Sequence, residues 1–324
     1  MRTIAKLITL SVLFLVLFLV STSFSVFAKT LRYEDSSVGQ KLNLPVYQWV
    51  NSDSPQRAVI VAVHGLTFYA AAFDEVATHF ADRGYTFYAA DLRGFGRWKD
   101  EAQRFHGDSK IHFTESQLDL LRVLKAVREE NPNEKIFCFG ESLGANYALW
   151  VAANNPGLID GVIAGSPCFK ACVHPRLRWG VDFFKGLLHP KTPLNLEPYI
   201  TPYLSDDKAV TRSCLKDKRI CRKLSPEDLI KTSKTNKWTL ANVKNIPADM
   251  PILIVAGQKD KVFKARSLKK FVPLLGSKQV ECRVLKGRGH LLFEHQPVHP
   301  EIVGIVDNWL DQRVRNSATV VTIP

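Results

Sequence analysis

The sequence predicts an α/β fold: a mainly parallel sheet with helices on both faces and a cap inserted after the sixth strand. Three observations carry this reading. Short apolar runs recur at residues 57–63, 85–90, 135–139, 161–165 and 251–256, as expected of strands buried on both faces. Segments of helical periodicity fill the intervals, which is the alternation of a parallel sheet. At residues 168–247 that rhythm stops and the composition changes, which marks an insertion.

The 324 residues suit one α/β core with an insertion better than two equal domains. Hydrophobic residues make up 46% and charged residues 23%, the balance of a globular protein. The net charge of +13 favours anionic partners, either nucleic acid or an anionic membrane surface. No zinc-finger spacing, aromatic RNA-binding motif or P-loop is present, so nucleic acid is not an expected partner. Oligomeric state has no signature in the sequence.

The chain opens with Arg2 and Lys6, followed at residues 7–20 by an almost unbroken run of aliphatic residues and Phe. Val26 and Ala28 then occupy the −3 and −1 positions of a cleavage site before Lys29. Residues 1–28 therefore read as an export signal, and the protein as extracytoplasmic. The alternative is an uncleaved anchor, because residues 7–28 are just long enough to span a bilayer. Residues 29–167 and 248–312 form the expected core, 168–247 the cap and 313–324 a tail.

Export implies a compartment in which disulfides persist. Cys168, Cys172, Cys214 and Cys221 all fall in the insertion, and two bridges among them are expected, with the pairing left open. Cys138 and Cys282 lie in predicted strands and read as small buried hydrophobes. The pair Cys168 and Cys172 lacks the further ligands of a metal site, so no metal is expected.

In chain order, residues 29–50 predict one or two edge strands around Pro45. The run 57–63 is a buried strand ending in His64-Gly65-Leu66, and 70–81 has helical spacing with Gly84 just beyond it. Residues 85–90 form the next strand and lead into Asp91-Leu92-Arg93-Gly94-Phe95-Gly96. Thr114 and Gln117 make a capping-box pattern before an apolar stripe at Leu118, Leu121, Leu124 and Val127, and Pro132 marks the exit. After the strands at 135–139 and 161–165 comes the insertion. Strands at 251–256 and 279–285 then alternate with helical patterns at 263–274 and 300–310.

The chemistry centres on Gly140-Glu141-Ser142-Leu143-Gly144, a G-x-S-x-G pattern between a strand and a helix-forming run. That context is a nucleophile elbow, the signature of the α/β-hydrolase fold. A serine there stands on a sharp turn above the sheet, and the small glycines let strand and helix pack closely. The triad of this fold runs Ser, then Asp or Glu, then His. Ser142 is followed by Asp260 at a strand end and by His290 after the next strand. Ser142 is the expected nucleophile, His290 the base, with His295 and His299 as rivals, and Asp260 the residue that orients the imidazole. Backbone N–H groups of Leu66 and Leu143 are the expected oxyanion hole. His64 and Asp91 precede the serine and read as supports of their loops.

These segments, together with Gly257 to Asp260, Val262 and Gly289-His290, resemble the monoacylglycerol lipase / lysophospholipase family over residues 57–310. The resemblance implies hydrolysis of one acyl ester of an amphiphilic lipid, without a cofactor. It departs at Glu141, where the family often has His, and it does not extend to the cap. The cap's aromatics either line an acyl channel or form its own core. Its basic stretch at 208–223 either meets anionic head groups or a bilayer, or is a solvated face. A peptidase, a thioesterase, an acyltransferase or a non-catalytic binding module are the alternatives.

Overall fold

The computed structural model describes residues 30–169 and 188–315. The expected export signal, Cys172 and residues 316–324 of the expected tail lie outside them. Strands in chain order are β1 (Leu31–Tyr33), β2 (Val46–Val50), β3 (Ala58–Val63), β4 (Tyr85–Ala90), β5 (Ile136–Glu141), β6 (Gly161–Gly165), β7 (Leu194–Asn195), β8 (Lys223–Leu224), β9 (Ile252–Gly257) and β10 (Val280–Leu285). Eight of them form one sheet in the order β1-β2-β4-β3-β5-β6-β9-β10. The first two pairings, β1 with β2 and β2 with β4, are antiparallel, and the rest are parallel. β7 and β8 pair with each other outside it.

The helices are α1 (Ser37–Leu42), α2 (Asp74–Asp82), α3 (Arg97–Glu101), α4 (Phe113–Glu130), α5 (Leu143–Asn154), α6 (Glu197–Leu204), α7 (Lys208–Lys216), α8 (Pro226–Thr239), α9 (Leu268–Phe271) and α10 (Pro300–Arg315). They cover both faces of the sheet. The alternation of strand side chains divides the core in two. Val59, Val61 and Val63 enter one cluster with Val123, Leu124 and Val127 of α4. Ile60 and Ala62 enter the other with Phe80 of α2 and Val306 and Trp309 of α10. This is the α/β-hydrolase architecture. The segment between β6 and β9 contributes three helices and the small two-stranded sheet among its described residues, and no strand to the main sheet.

Several local expectations fail for tertiary reasons. Residues 37–42 are helical rather than extended: the Ser36 side chain accepts from Gly39 N–H at 3.0 Å, and Asn43 closes the turn with φ 55°. No capping box opens α4. Its first residue is Phe113, and its N-cap, His112, makes no side-chain capping bond. Phe113 is drawn into the core, where its carbonyl accepts from Tyr147 Oη, so the helix starts before Thr114. Cys282 is exposed because β10 is an edge strand.

Among the described residues neither expected disulfide is seen: Cys168, Cys214 and Cys221 are free thiols. Their surroundings explain why. Cys168 lies against Ser142, Cys214 is buried in the cluster that contains Leu204 and Ile220, and Cys221 packs against the opposite cluster.

The tightest approach in the fold lies under the elbow. A Cβ on Gly144 would stand 1.9 Å from the Val63 carbonyl oxygen, and one on Gly140 would stand 2.2 Å from the Gly144 oxygen. Both neighbours are backbone, so neither can rotate away. Gly144→Ala is expected to destabilise the protein by about 3 kcal/mol or more in guanidinium denaturation. An unchanged midpoint would show that α5 does not need to lie so close to β3.

Candidate active site

Ser142 links the end of β5 to the start of α5 with φ 56° and ψ −114°. For a residue other than Gly this conformation costs about 1–3 kcal/mol and survives only where the surroundings impose it. Here Ser142 N–H donates to Gly165 O at 2.8 Å, and Asn146 N–H donates to Ser142 O at 3.3 Å. The hydroxyl is thereby turned out above the carboxyl ends of the strands, the usual place for a site in a parallel sheet.

The loops after β9 and β10 bring the other two groups to it. His290 Nε2 lies 3.0 Å from Ser142 Oγ, and His290 Nδ1 lies 2.8 Å from Asp260 Oδ2. The carboxylate can only accept, so Nδ1 carries the proton and Nε2 is free to receive that of Ser142. Asp260 Oδ1 accepts from the Val262 and Phe263 amides at 2.7 and 2.9 Å, which fixes the carboxylate. The ring of Phe263 packs beside the imidazole. His295 and His299 are not drawn in: His299 sits at the entry to α10, where its carbonyl accepts from the Ile302 amide.

Leu143 is the first residue of α5, so its N–H has no partner within the helix and points along the positive end of the helix dipole. Leu66 follows Gly65, whose Cα is packed so near the nucleophile that a Cβ there would be 3.3 Å from Ser142 Cβ. His64 and Leu92 brace this loop. Leu92 N–H donates to His64 Nε2 at 2.9 Å, and His64 Nδ1 donates to Gly65 O at 2.8 Å. Burial pushes the His64 pKa down to about 4, so the ring is neutral and structural. Asp91 accepts from the Ala70 and Arg97 amides and closes the neighbouring turn.

Four residues of the site carry weight that the sequence reading did not assign. Asn146 is wholly buried in a largely apolar helix. Its side chain donates to Cys168 O at 3.0 Å, accepts from Cys168 N–H at 2.9 Å and donates to Asn236 Oδ1 of α8 at 3.0 Å. It therefore ties the insertion to the elbow, and an Asn set among the apolar residues that follow the elbow was the signal for it. Cys168 is held with its thiol 3.3 Å from Ser142 Oγ. Burial pushes that thiol's pKa up, so it lines the site as a neutral group. Glu141 and Glu294 are buried acids beside the elbow, and a charged residue inside the apolar strand β5 was visible in the sequence. Among the described residues no cluster of His, Cys, Asp and Glu could hold a metal ion.

A family profile described as serine aminopeptidase, S33 (Hydrolase_4) matches residues 54–296. A monoacylglycerol lipase of Mycolicibacterium smegmatis is 24% identical over 268 residues, covering 82% of this chain and 92% of that protein. Human monoglyceride lipase is 22% identical over 272 residues, covering 84% of this chain and 88% of that one. Among solved structures, the Paleococcus ferrophilus monoacylglycerol lipase superposes with a TM-score of 0.66 at 21% identity, over 83% of this chain and 98% of that one. That likeness is one of fold.

The protonation of His290 sets a pH limit on activity. Burial alone would lower its pKa, but the charge and hydrogen bond of Asp260, with the charge of Glu141, raise it above 6.5. Only the neutral ring accepts a proton, so activity is lost as pH falls through this raised value. The acidic limb of kcat/KM should therefore lie above the ordinary histidine value of about 6.5. In Asp260→Asn the limb should move down while kcat falls about 10⁴-fold. A wild-type limb below that value would contradict the buried Asp260–His290 pair.

Proposed function

We propose, starting from the fact that this chain belongs to the serine aminopeptidase S33 family of hydrolases, that it hydrolyses the acyl ester of a monoacyl lipid through an acyl-enzyme on Ser142. Ser142 Oγ attacks the ester carbonyl while His290 Nε2 takes its proton. The Leu66 and Leu143 amides hold the oxyanion, and Asp260 stabilises the imidazolium. His290 then protonates the departing alcohol. Water repeats the sequence on the acyl-enzyme and releases the fatty acid.

The observation that carries an apolar acyl group is the apolar character of the residues beside Ser142 and His290. Cys168 touches Ser142, and Phe169 beside it stacks on Phe271 with ring centroids 4.4 Å apart. Phe263 flanks His290. Relatives named as monoacylglycerol and monoglyceride lipases along most of their length support the same reading. An aminopeptidase needs an accessible acid for the substrate ammonium. The acids flanking the elbow and oxyanion loop, Glu141 and Glu294, are instead buried against main-chain amides.

A lysophospholipid is the second reading, and a cationic cleft favours it. A cleft of about 930 Å³ between residues 94–112 and the insertion is lined by Lys99, Lys218 and Lys223. Its three acids each have a partner: Glu227 pairs with Lys231 at 2.7 Å, Glu197 lies 3.8 Å from Arg222, and Asp228 caps α8 through Ser225, which leaves Lys99, Lys218 and Lys223 in excess. Phosphate groups, on the substrate or on an anionic membrane, are the matching chemistry. Among the described residues no helix is long and apolar enough to cross a membrane. We further propose export through residues 1–28, which N-terminal sequencing of the natural protein would test by finding Lys29 first.

The reading is tested by turnover of a monoacylglycerol, a lysophospholipid, a short aryl ester, an acyl thioester and an aminoacyl amide, with Ser142→Ala as control. The monoacyl esters should give the highest kcat/KM, and Ser142→Ala should abolish turnover of all five. A preference for the amide would overturn the lipid reading, and absence of turnover would leave a binding module. Separately, Lys218→Glu with Lys223→Glu should weaken co-sedimentation with anionic vesicles while leaving aryl-ester turnover unchanged. Equal sedimentation would remove the cleft from membrane binding.

A further inference from the structure

Three segments must stay in register for the site to work: the elbow, the loop carrying His290 and the loop carrying Leu66. Two buried carboxyl groups join them. Glu141 precedes the nucleophile, and its Oε1 accepts from the Leu292 amide at 2.6 Å. Its Oε2 accepts from the Phe293 and Glu294 amides at 3.0 and 2.9 Å. These three amides lie just beyond His290. Glu294 then reaches back, and its Oε1 accepts from Gly65 N–H at 2.5 Å. Gly65 immediately precedes Leu66. A Cβ on Gly65 would meet Glu294 Oε2 at 2.9 Å and Glu141 O at 3.4 Å, so all three segments converge at this glycine.

We propose that Glu294 is a positioning residue for the oxyanion hole, holding Gly65 so that the Leu66 amide is aimed at the carbonyl attacked by Ser142. Glu141 completes the link by fixing the chain that carries Glu294 to the elbow itself.

The cost of the arrangement argues for this role. Glu294 Oε2 is buried without a hydrogen-bond partner, an expensive state for a group that only filled space. The pair is not symmetric. Glu141 has three amide donors and Glu294 has one, so the negative charge belongs on Glu141 and the proton on Glu294. Burial pushes Glu141 up to about 7 despite His290 and the three amides. Burial and the Glu141 charge push Glu294 far above the carboxylate range. The other titratable groups near the pair are His290 and Cys168 beside Ser142, Cys214 of α7, and His64, which bonds to the same Gly65. Glu294 therefore acts as a neutral acid whose carbonyl oxygen accepts from Gly65, and Gln is its closest mimic.

This inference rests on acyl transfer at Ser142 and not on the identity of the lipid, so a short aryl ester serves as substrate and the lipid reading can fail without it. Glu294→Leu should lower kcat by about 10- to 100-fold, the effect of a displaced reacting group, with KM within about twofold. Affinity for a boronic acid that mimics the tetrahedral adduct should fall by the same factor, while the unfolding midpoint should not fall. Glu294→Gln should restore kcat and boronate affinity to within about threefold of the natural protein. If Glu294→Leu does not fold, Glu294→Asp carries the test: retracting the acceptor by one methylene should weaken turnover and boronate binding together. Unchanged kcat in the Leu or Asp variant, a kcat loss without loss of boronate affinity, or a Gln variant as impaired as either would overturn the proposal.

Discussion

The structure depends on how closely α5 approaches β3. With Gly144 pressed on the Val63 carbonyl, the chain leaving β5 has no room for a gradual turn. It reverses within one residue, and Ser142 takes a left-handed conformation that the hydrogen bond to Gly165 maintains. The same approach places the Ser142 hydroxyl and the Leu143 amide side by side at the start of α5. The positions of the Ser142 hydroxyl and the Leu143 amide therefore both follow from a single packing contact.

Charge in the site is managed by giving each buried ionisable group a defined partner. Two buried histidines illustrate the range. His64 hydrogen-bonds only to backbone and packs against Phe95, so burial dominates and it stays neutral as a brace. His290 is buried to a similar degree but faces a carboxylate, and the balance reverses. Two buried acids divide their roles by the number of amide donors each receives. In each case the chemistry of the residue type is the same, and its neighbours decide its charge.

Much of the core was legible because it is written locally. Uniformly apolar runs marked the buried strands, and Ser142, Asp260 and His290 stand at strand ends where a parallel sheet gathers its loops. The misreadings concern groups whose state depends on distant partners. Phe113 entered the core and moved a helix start that Thr114 and Gln117 had suggested. Cys168, Cys214 and Cys221 are close in sequence but pack against different surroundings, so cysteine counting misled. Cys282 is exposed because nothing pairs with β10 on its outer side within the described sheet.

By itself, the sequence determined the fold class, the strand–turn–helix at Ser142 and the selection of Ser142, Asp260 and His290, which the structure brings together. These follow from short-range periodicity and from glycines that only a tight turn requires. Tertiary structure alone decided the links across the site: Glu141 to residues 292–294, Glu294 to Gly65, and Asn146 to Cys168 and Asn236. Those bonds join residues separated by as many as 229 positions in the chain, and hydrogen bonding leaves no periodic trace in sequence. A buried Glu reads as an anomaly until the amides that surround it are seen.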